Sequence, residues 1–254
     1  MKNIKAKKRY GQHFLTDTNI AKKITDLIDP NLTKNVIEVG PGMGALTDHL
    51  LEKNIKLKVV EIDKEAITYL LKRYPNINKS IIHANFLNLD LQNYGDNKVS
   101  IIGNFPYNIS SQILFKAYDN KEKVIQLVGM FQKEVADRIC ATKGRKKGVL
   151  SILLQTFYDI DYCYTIHEDM FRPQPKIKSG VIKMKRNNRT QLECSESIYK
   201  MIVKTGYNQR RKTLKNALKS VSLKKNKKVN SLLKLRAEEL NVEDFITLAL
   251  NAKT

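Results

Sequence analysis

Tryptophan is absent from the 254-residue chain, and cysteine occurs only three times. Cys140, Cys163 and Cys194 are far apart and form no Cys-x-x-Cys pair. That spacing excludes a disulfide framework and speaks against a cysteine-held zinc, so reduced, incidental thiols are expected. The histidines His13, His49, His83 and His167 are equally scattered, and no metal site is expected. No apolar run approaches the ~18 residues that a bilayer span requires. The opening MKNIKAKKRYGQHFL is basic but lacks the apolar core of a secretory signal. A soluble, cytoplasmic protein is the expectation. Acidic residues are also scarce, with 25 Asp and Glu against 46 Lys and Arg, a formal charge of +21. An AT-rich coding bias accounts for lysine in place of arginine, but not for so large an excess over acids. A polyanionic partner accounts for it, and nucleic acid is the commonest.

What is present is a regular alternation. After a helix capped by Thr16 or Asp17 and stopped by Pro30, apolar strands at 36–39, 57–62, 80–84, 99–103 and 124–130 alternate with helices. The helices fall at 44–53, 64–74, 110–118 and 131–141. Such alternation predicts βαβ units and a mostly parallel sheet covered on both faces. Beyond the basic loop TKGRKKG (142–148), the segments 151–166 and 179–186 read as a closing pair of strands around the proline-rich MFRPQPKIKS. From about 191 the pattern is helical and very basic. The expected organisation is a Rossmann-like α/β domain over 1–188 and a small all-helical domain over 189–254.

Two stretches carry chemistry. In IEVGPGMGALT (37–47), Gly40, Gly42 and Gly44 lie between a strand and a helix. Glycines there allow a tight turn and let a ligand lie against bare backbone. Glu61 ends the next strand, where a carboxylate can accept both hydroxyls of a ribose. The same glycines also fit a dinucleotide fingerprint, so the loop does not choose the cofactor. Asn85 and Phe86 close the third strand. They can read an adenine edge and pack on its face, or simply form a turn.

The second stretch is IIGNFPYNIS (101–110), at the end of the fourth strand. Asn104-Phe105-Pro106-Tyr107 resembles the loop of methyltransferases that act on exocyclic amino groups. An adenine N6 lone pair is delocalised into the ring and attacks a sulfonium methyl poorly. The Asn104 side-chain oxygen and the Phe105 carbonyl can accept hydrogen bonds from the amine and turn its lone pair toward the methyl group. Pro106 stiffens the turn, and Tyr107 offers a face for a base.

With KKRYGQHFLTD, EIDKE, FQKEVADRI, FRPQPKIKSGVIKM, NQRRKTLKNAL and LRAEELNVEDF, these segments run almost end to end. Together they resemble the small-subunit rRNA adenine dimethyltransferases, which dimethylate two adjacent adenines near the 3′ end of that rRNA. The resemblance implies S-adenosylmethionine as methyl donor and the immature small ribosomal subunit as partner of a monomeric enzyme. It implies that His13 and Leu15 close over the cofactor, with Gly40 and its neighbours at the methionine part. Glu61 would meet the ribose and Asn85 the adenine. Phe171 would face Tyr107 across the flipped base, although from the residues alone it reads as a core aromatic. The family usually carries Asp at the Asn85 position and commonly Leu at Phe105.

For RNA, the exposed-looking clusters are Lys5, Lys7, Lys8 and Arg9; Arg145, Lys146 and Lys147; and Arg210, Arg211, Lys212 and Lys215. The last is expected at a helix start, suited to phosphate. Two alternatives stay open: a large-subunit adenine methyltransferase of the antibiotic-resistance type, and a non-catalytic nucleic-acid-binding assembly or transcription factor.

Overall fold

Five apolar runs stand side by side in parallel in the computed structural model, which describes residues 5–94 and 98–253. They are β2 (Asn35–Val39), β3 (Lys56–Glu61), β4 (Ile81–His83), β5 (Val99–Asn104) and β6 (Val124–Gln132). Two further strands, β7 (Tyr158–Ile166) and β9 (Ser179–Arg186), complete a seven-stranded sheet ordered β4-β3-β2-β5-β6-β9-β7. β9 runs antiparallel to β6, with Gln126 opposite Lys185 and Gln132 opposite Ser179. A separate two-stranded ribbon joins β1 (Phe14–Leu15) to β8 (Phe171–Arg172). The chain winds outward from β2 to β4, then returns to place β5 on the other side of β2. That reversal opens a crevice beyond the carboxyl ends of β2 and β5, where open parallel sheets bind ligands.

The helices follow from local signals. Asp17 caps α1 (Thr18–Asp26) by accepting from Ile20 N at 2.8 Å, and the helix buries Ala21, Ile24 and Thr25. Asp63 caps α3 (Lys64–Arg73), whose last turn carries Lys72 and Arg73 in keeping with the helix dipole. Between them, α2 (Ala45–Leu51) starts on Gly44; after them, α4 (Ser110–Asp119) buries Ile113, Leu114, Ala117 and Tyr118. α5 (Lys133–Cys140) follows β6 directly.

The expected strand over 151–166 is half wrong. Val149–Phe157 is a helix, α6, and only Tyr158 onward is extended. A short, largely apolar run reads equally as a buried strand or a buried helix. Here Ser151 accepts from Gly148 N at 3.1 Å to start the helix, and Thr156 returns its hydroxyl to the Ile152 carbonyl at 2.7 Å.

Two compact units result. One runs through Ala136 and resumes over Ile160–Arg186; the other comprises Asp137–Asp159 and the chain from Asn187. The second unit holds α6, α7 (Glu196–Asn208), α8 (Leu214–Ala217), α9 (Lys227–Leu232) and α10 (Val242–Leu250). Its sequence boundary lies close to the expected residue 188, but it also takes in 137–159, a segment read as part of the first domain. The reason is burial at long range. The Lys147 ammonium donates to the Leu240 carbonyl, and Thr156 and Tyr199 share a buried hydroxyl bond of 2.7 Å. Among the described residues, no helix is long and apolar enough to cross a membrane, and no His, Cys, Asp and Glu cluster is arranged to hold a metal.

Candidate active site

Backbone conformation shapes the floor of the crevice. Gly40, Gly42 and Gly44 have φ of 67°, 56° and 86°, the left-handed region that disfavours any residue with a Cβ. The three face different things. A Cβ on Gly40 would meet nothing within 4 Å, so this backbone is bare toward the cavity it lines. On Gly42 it would sit 2.8 Å from the Phe14 ring, and on Gly44 it would sit 2.6 Å from the Tyr74 hydroxyl. Gly44 is therefore turned away from the cavity against α3, a correction to its expected place at the cofactor. Tyr74 donates to Asp48, whose other oxygen takes Arg73 at 2.5 Å, and Arg73 also donates to the Met43 carbonyl at 3.2 Å. These three residues buttress the loop from behind, and sequence reading did not find them because no motif marks them.

Glu61 ends β3 beside this loop. Its Oε1 accepts from Ile62 N at 2.8 Å and Asp63 N at 2.9 Å, and its Oε2 from Gly42 N at 3.3 Å. Burial pushes its carboxyl up, and the three N–H groups oppose that shift. Glu38, on β2 and also lining the cavity, is fully buried; desolvation raises its pKa to about 8 against the opposing Thr47 hydroxyl bond of 2.7 Å.

The GQHFL segment lies over the crevice as a strap. Leu15 pairs with Phe171 and Phe14 with Arg172, while Thr16 places both N and Oγ1 2.9 Å from the Met170 carbonyl. At its other end, Lys7 reaches Asp63 at 2.7 Å and Glu65 at 2.8 Å, and Gln12 donates to Asp63 at 3.3 Å. Burial would raise the Asp63 carboxyl, but the Lys7 ammonium and the Glu65 and Gln12 N–H groups together hold it below the usual range. The strap's Gln12 and Phe14 line the cavity alongside the expected His13 and Leu15.

Asn104, at the end of β5, donates from Nδ2 to the His13 carbonyl at 2.7 Å, which leaves its Oδ1 as an acceptor. Pro106 O accepts from Ile109 N at 3.1 Å, so the segment is a closed turn. Phe105 does not crowd the crevice. Its ring is buried over Gly103 and Gly129, where a Cβ would come within 2.7 Å and 2.1 Å of it, and lies 5.1 Å from Phe131. Tyr107 hydrogen-bonds Ser179 Oγ at 2.7 Å, and burial raises its phenol despite that bond.

The ring opposite Tyr107 is His13, at 5.7 Å and 27°, with its Nδ1 donating to the Pro173 carbonyl at 2.7 Å. Phe171 is not there. Paired with Leu15, it is fully buried in the core cluster with Ile24, Leu46 and Val181, and it does not line the cavity. The sequence reading of a core aromatic beside prolines describes its position; the base-facing role does not fit it.

Asn85 and Phe86 line the far side of the cavity. Asn85 Oδ1 accepts from Leu87 N at 3.0 Å and caps a short 3-10 turn, Phe86–Asn88. Lys116 donates to the carbonyls of Leu87 at 3.0 Å and Leu89 at 2.6 Å, with its ammonium over the Phe86 ring. The assembled cavity thus has bare backbone at Gly40, a buried carboxylate at Glu61, an amide at Asn85 and an amide oxygen at Asn104. That set suits a nucleoside ligand with vicinal hydroxyls, meeting an amine at Asn104.

In the second unit, Arg145, Lys146, Arg211, Lys212 and Lys215 are exposed. Lys146 is paired with Asp137 at 3.0 Å. Lys147 is a correction: it is 1% exposed, bonded to Leu240, and burial lowers its pKa, so phosphate cannot reach it. Arg210, expected to meet phosphate, spends Nη2 on the carbonyls of Arg145 and Lys147, both at 2.6 Å, and so fastens the loop. Nor is Asn208–Lys212 a helix start. Asn208 ends α7, a turn closes from Lys212 N to Gln209 O at 2.8 Å, and the four-residue α8 begins only at Leu214.

Residues 3–253 match the model of a family described as ribosomal RNA adenine dimethylase. A ribosomal RNA small subunit methyltransferase A from Cytophaga hutchinsonii is 51% identical over 98% of this chain and 97% of its own length. Its counterpart from Flavobacterium johnsoniae is 47% identical over 98% and 96%. A crystal structure of a dimethyladenosine transferase from Plasmodium falciparum superposes with a TM-score of 0.77 at 22% identity, covering 94% of this chain and 96% of that one. The 23S rRNA methyltransferase ErmE gives 0.75 at 19% identity, covering 94% and 98%, a likeness of fold.

Proposed function

Because the chain belongs to the ribosomal RNA adenine dimethylase family, we propose that it methylates N6 of two adjacent adenines near the 3′ end of small-subunit rRNA. The products are N6,N6-dimethyladenosines, and the step belongs to small-subunit biogenesis. The observation that carries the reading is the convergence of Asn104 with the Gly40 loop and Glu61 on one cavity at the sheet's reversal. S-adenosylmethionine, when bound, supplies an electrophilic sulfonium methyl. The residues present fit it: Gly40 is bare, Glu61 is an acceptor for ribose hydroxyls, and Asn85 stands ready for the purine edge. His13 and Leu15, with Gly42 and Phe86, enclose it.

On the target side, Asn104 and Tyr107 do the work of orientation. With Nδ2 held by the His13 carbonyl, Asn104 presents Oδ1 to an amine proton, and the Phe105 carbonyl takes the second. The amine lone pair is then directed out of conjugation toward the methyl group. No strong base is required, because the methylated amine is acidic and sheds its proton. Pro106 keeps the turn closed, and the Tyr107 ring, tethered to Ser179, receives the extruded base. Arg145, Lys146, Arg211, Lys212 and Lys215 in the helical unit supply phosphate contacts, and the enzyme acts as a cytoplasmic monomer.

The test is direct. The protein is incubated with labelled S-adenosylmethionine and undermethylated small or large ribosomal subunits, and modified bases are mapped by mass. Dimethyladenosine at two adjacent small-subunit positions supports the reading. Label confined to large-subunit RNA overturns it, and binding without label marks a non-catalytic assembly factor.

A further inference from the structure

Resting on that cofactor reading, we propose that Asn85 reads the purine by donating a hydrogen bond from Nδ2, so that the site accepts 6-oxopurine nucleosides as well as adenine. Asn85 lines the cavity where β4 ends, and its Oδ1 accepts the Leu87 N–H at 3.0 Å. The opposite amide orientation would set Nδ2 against Leu87 N–H, two donors facing each other. The turn that carries this N–H is itself held. Lys116 donates to the carbonyls of Leu87 and Leu89 on either side of Asn88, and Phe86 is buried beneath. The backbone therefore sets the amide orientation, and the NH2 group is what remains for a ligand.

The consequence is a matter of donors and acceptors. Along one edge, adenine offers a donor at N6 and an acceptor at N1. An NH2 group opposite the N6 amine is repelled, whereas N1 accepts from it. A carboxylate at this position would spend one oxygen on the same Leu87 cap and present the other, an acceptor, where Nδ2 now stands. It would take the N6 proton and repel a 6-oxo group. Hypoxanthine carries oxygen at C6, which accepts from Nδ2. Asn85 thus makes recognition tolerant at C6, and an aspartate would make it selective.

Calorimetric titration of the wild-type protein and Asn85→Asp with S-adenosylhomocysteine and S-inosylhomocysteine tests this. In the wild type the two dissociation constants are expected within about tenfold of each other. In Asn85→Asp, which keeps the cap, the preference for the adenosyl compound is expected to widen to about a hundredfold or more, as when a buried acceptor is left facing an acceptor. Wild-type rejection of the inosyl compound by about a hundredfold overturns the proposal, and so does an unchanged ratio in the variant. The wild-type arm decides even if the variant does not fold. Failure of both compounds to bind the wild type overturns the cofactor reading and this proposal with it.

Discussion

Asn104 and Phe171 illustrate how differently two residues of one expected site behave. Replacing Asn104 with Ala removes the oriented acceptor, and turnover is expected to fall by at least about a hundredfold. Subunit binding stays largely intact, checked by single-turnover rates beside filter binding. Phe171 is fully buried in the core. Phe171→Ala should therefore cost about 3–5 kcal/mol of unfolding free energy in a denaturant titration. Tyr107→Ala, at a half-buried position, should lose activity with much less change in stability. Glu38 yields a pH prediction. Its folded pKa of about 8 lies above the ordinary value of 4.5. The folded state therefore holds a proton that the unfolded chain releases, and stability falls as pH rises from the unfolded value through about 8. Glu38→Gln keeps an acceptor for Thr47 without the charge. Its melting temperature should match wild type near pH 5 and exceed it at pH 8 and above, by scanning fluorimetry. That His13 and not Phe171 stands opposite Tyr107 could not be read from residue type, since both are planar rings in motif-like surroundings.

Elements respond to what stands behind them. The glycine loop is fixed by α3 through Tyr74, which donates to the Gly44 carbonyl at 3.3 Å and to Asp48. Tyr74→Phe keeps the ring and loses both bonds. The KM for S-adenosylmethionine should rise several-fold while the KM for the ribosomal substrate and the melting temperature hold, a split that general loosening would not produce. Strand and helix alternation was legible from residue 36 to 132 because each apolar run is short and bounded by polar turns. It failed at 149–157, a short and largely apolar run of the kind in which a buried strand and a buried helix read alike. Only the neighbours of that run made it a helix. The same holds for the Asn208–Lys212 run, which ends one helix where it was expected to begin another.

For the whole molecule, a charge of +21 implies substrate binding that weakens steeply with salt. Arg211→Glu with Lys212→Glu should weaken RNA binding and flatten the slope of log affinity against log salt, measured on the ribosomal substrate. Loss of affinity without a change in slope would count against these side chains as phosphate contacts. What the sequence by itself determined is the alternation of strands and helices from 36 to 132, the parallel sheet and the turns of the two loops. Local signals carry those: φ preferences of glycine and proline, capping residues, and the spacing of apolar runs. Tertiary structure alone decided which side chains meet. It turned Gly44 outward, sank Phe171 and Lys147 and drew 137–159 into the helical unit. Burial and hydrogen-bond partners come from residues distant in the chain, and no local pattern encodes them.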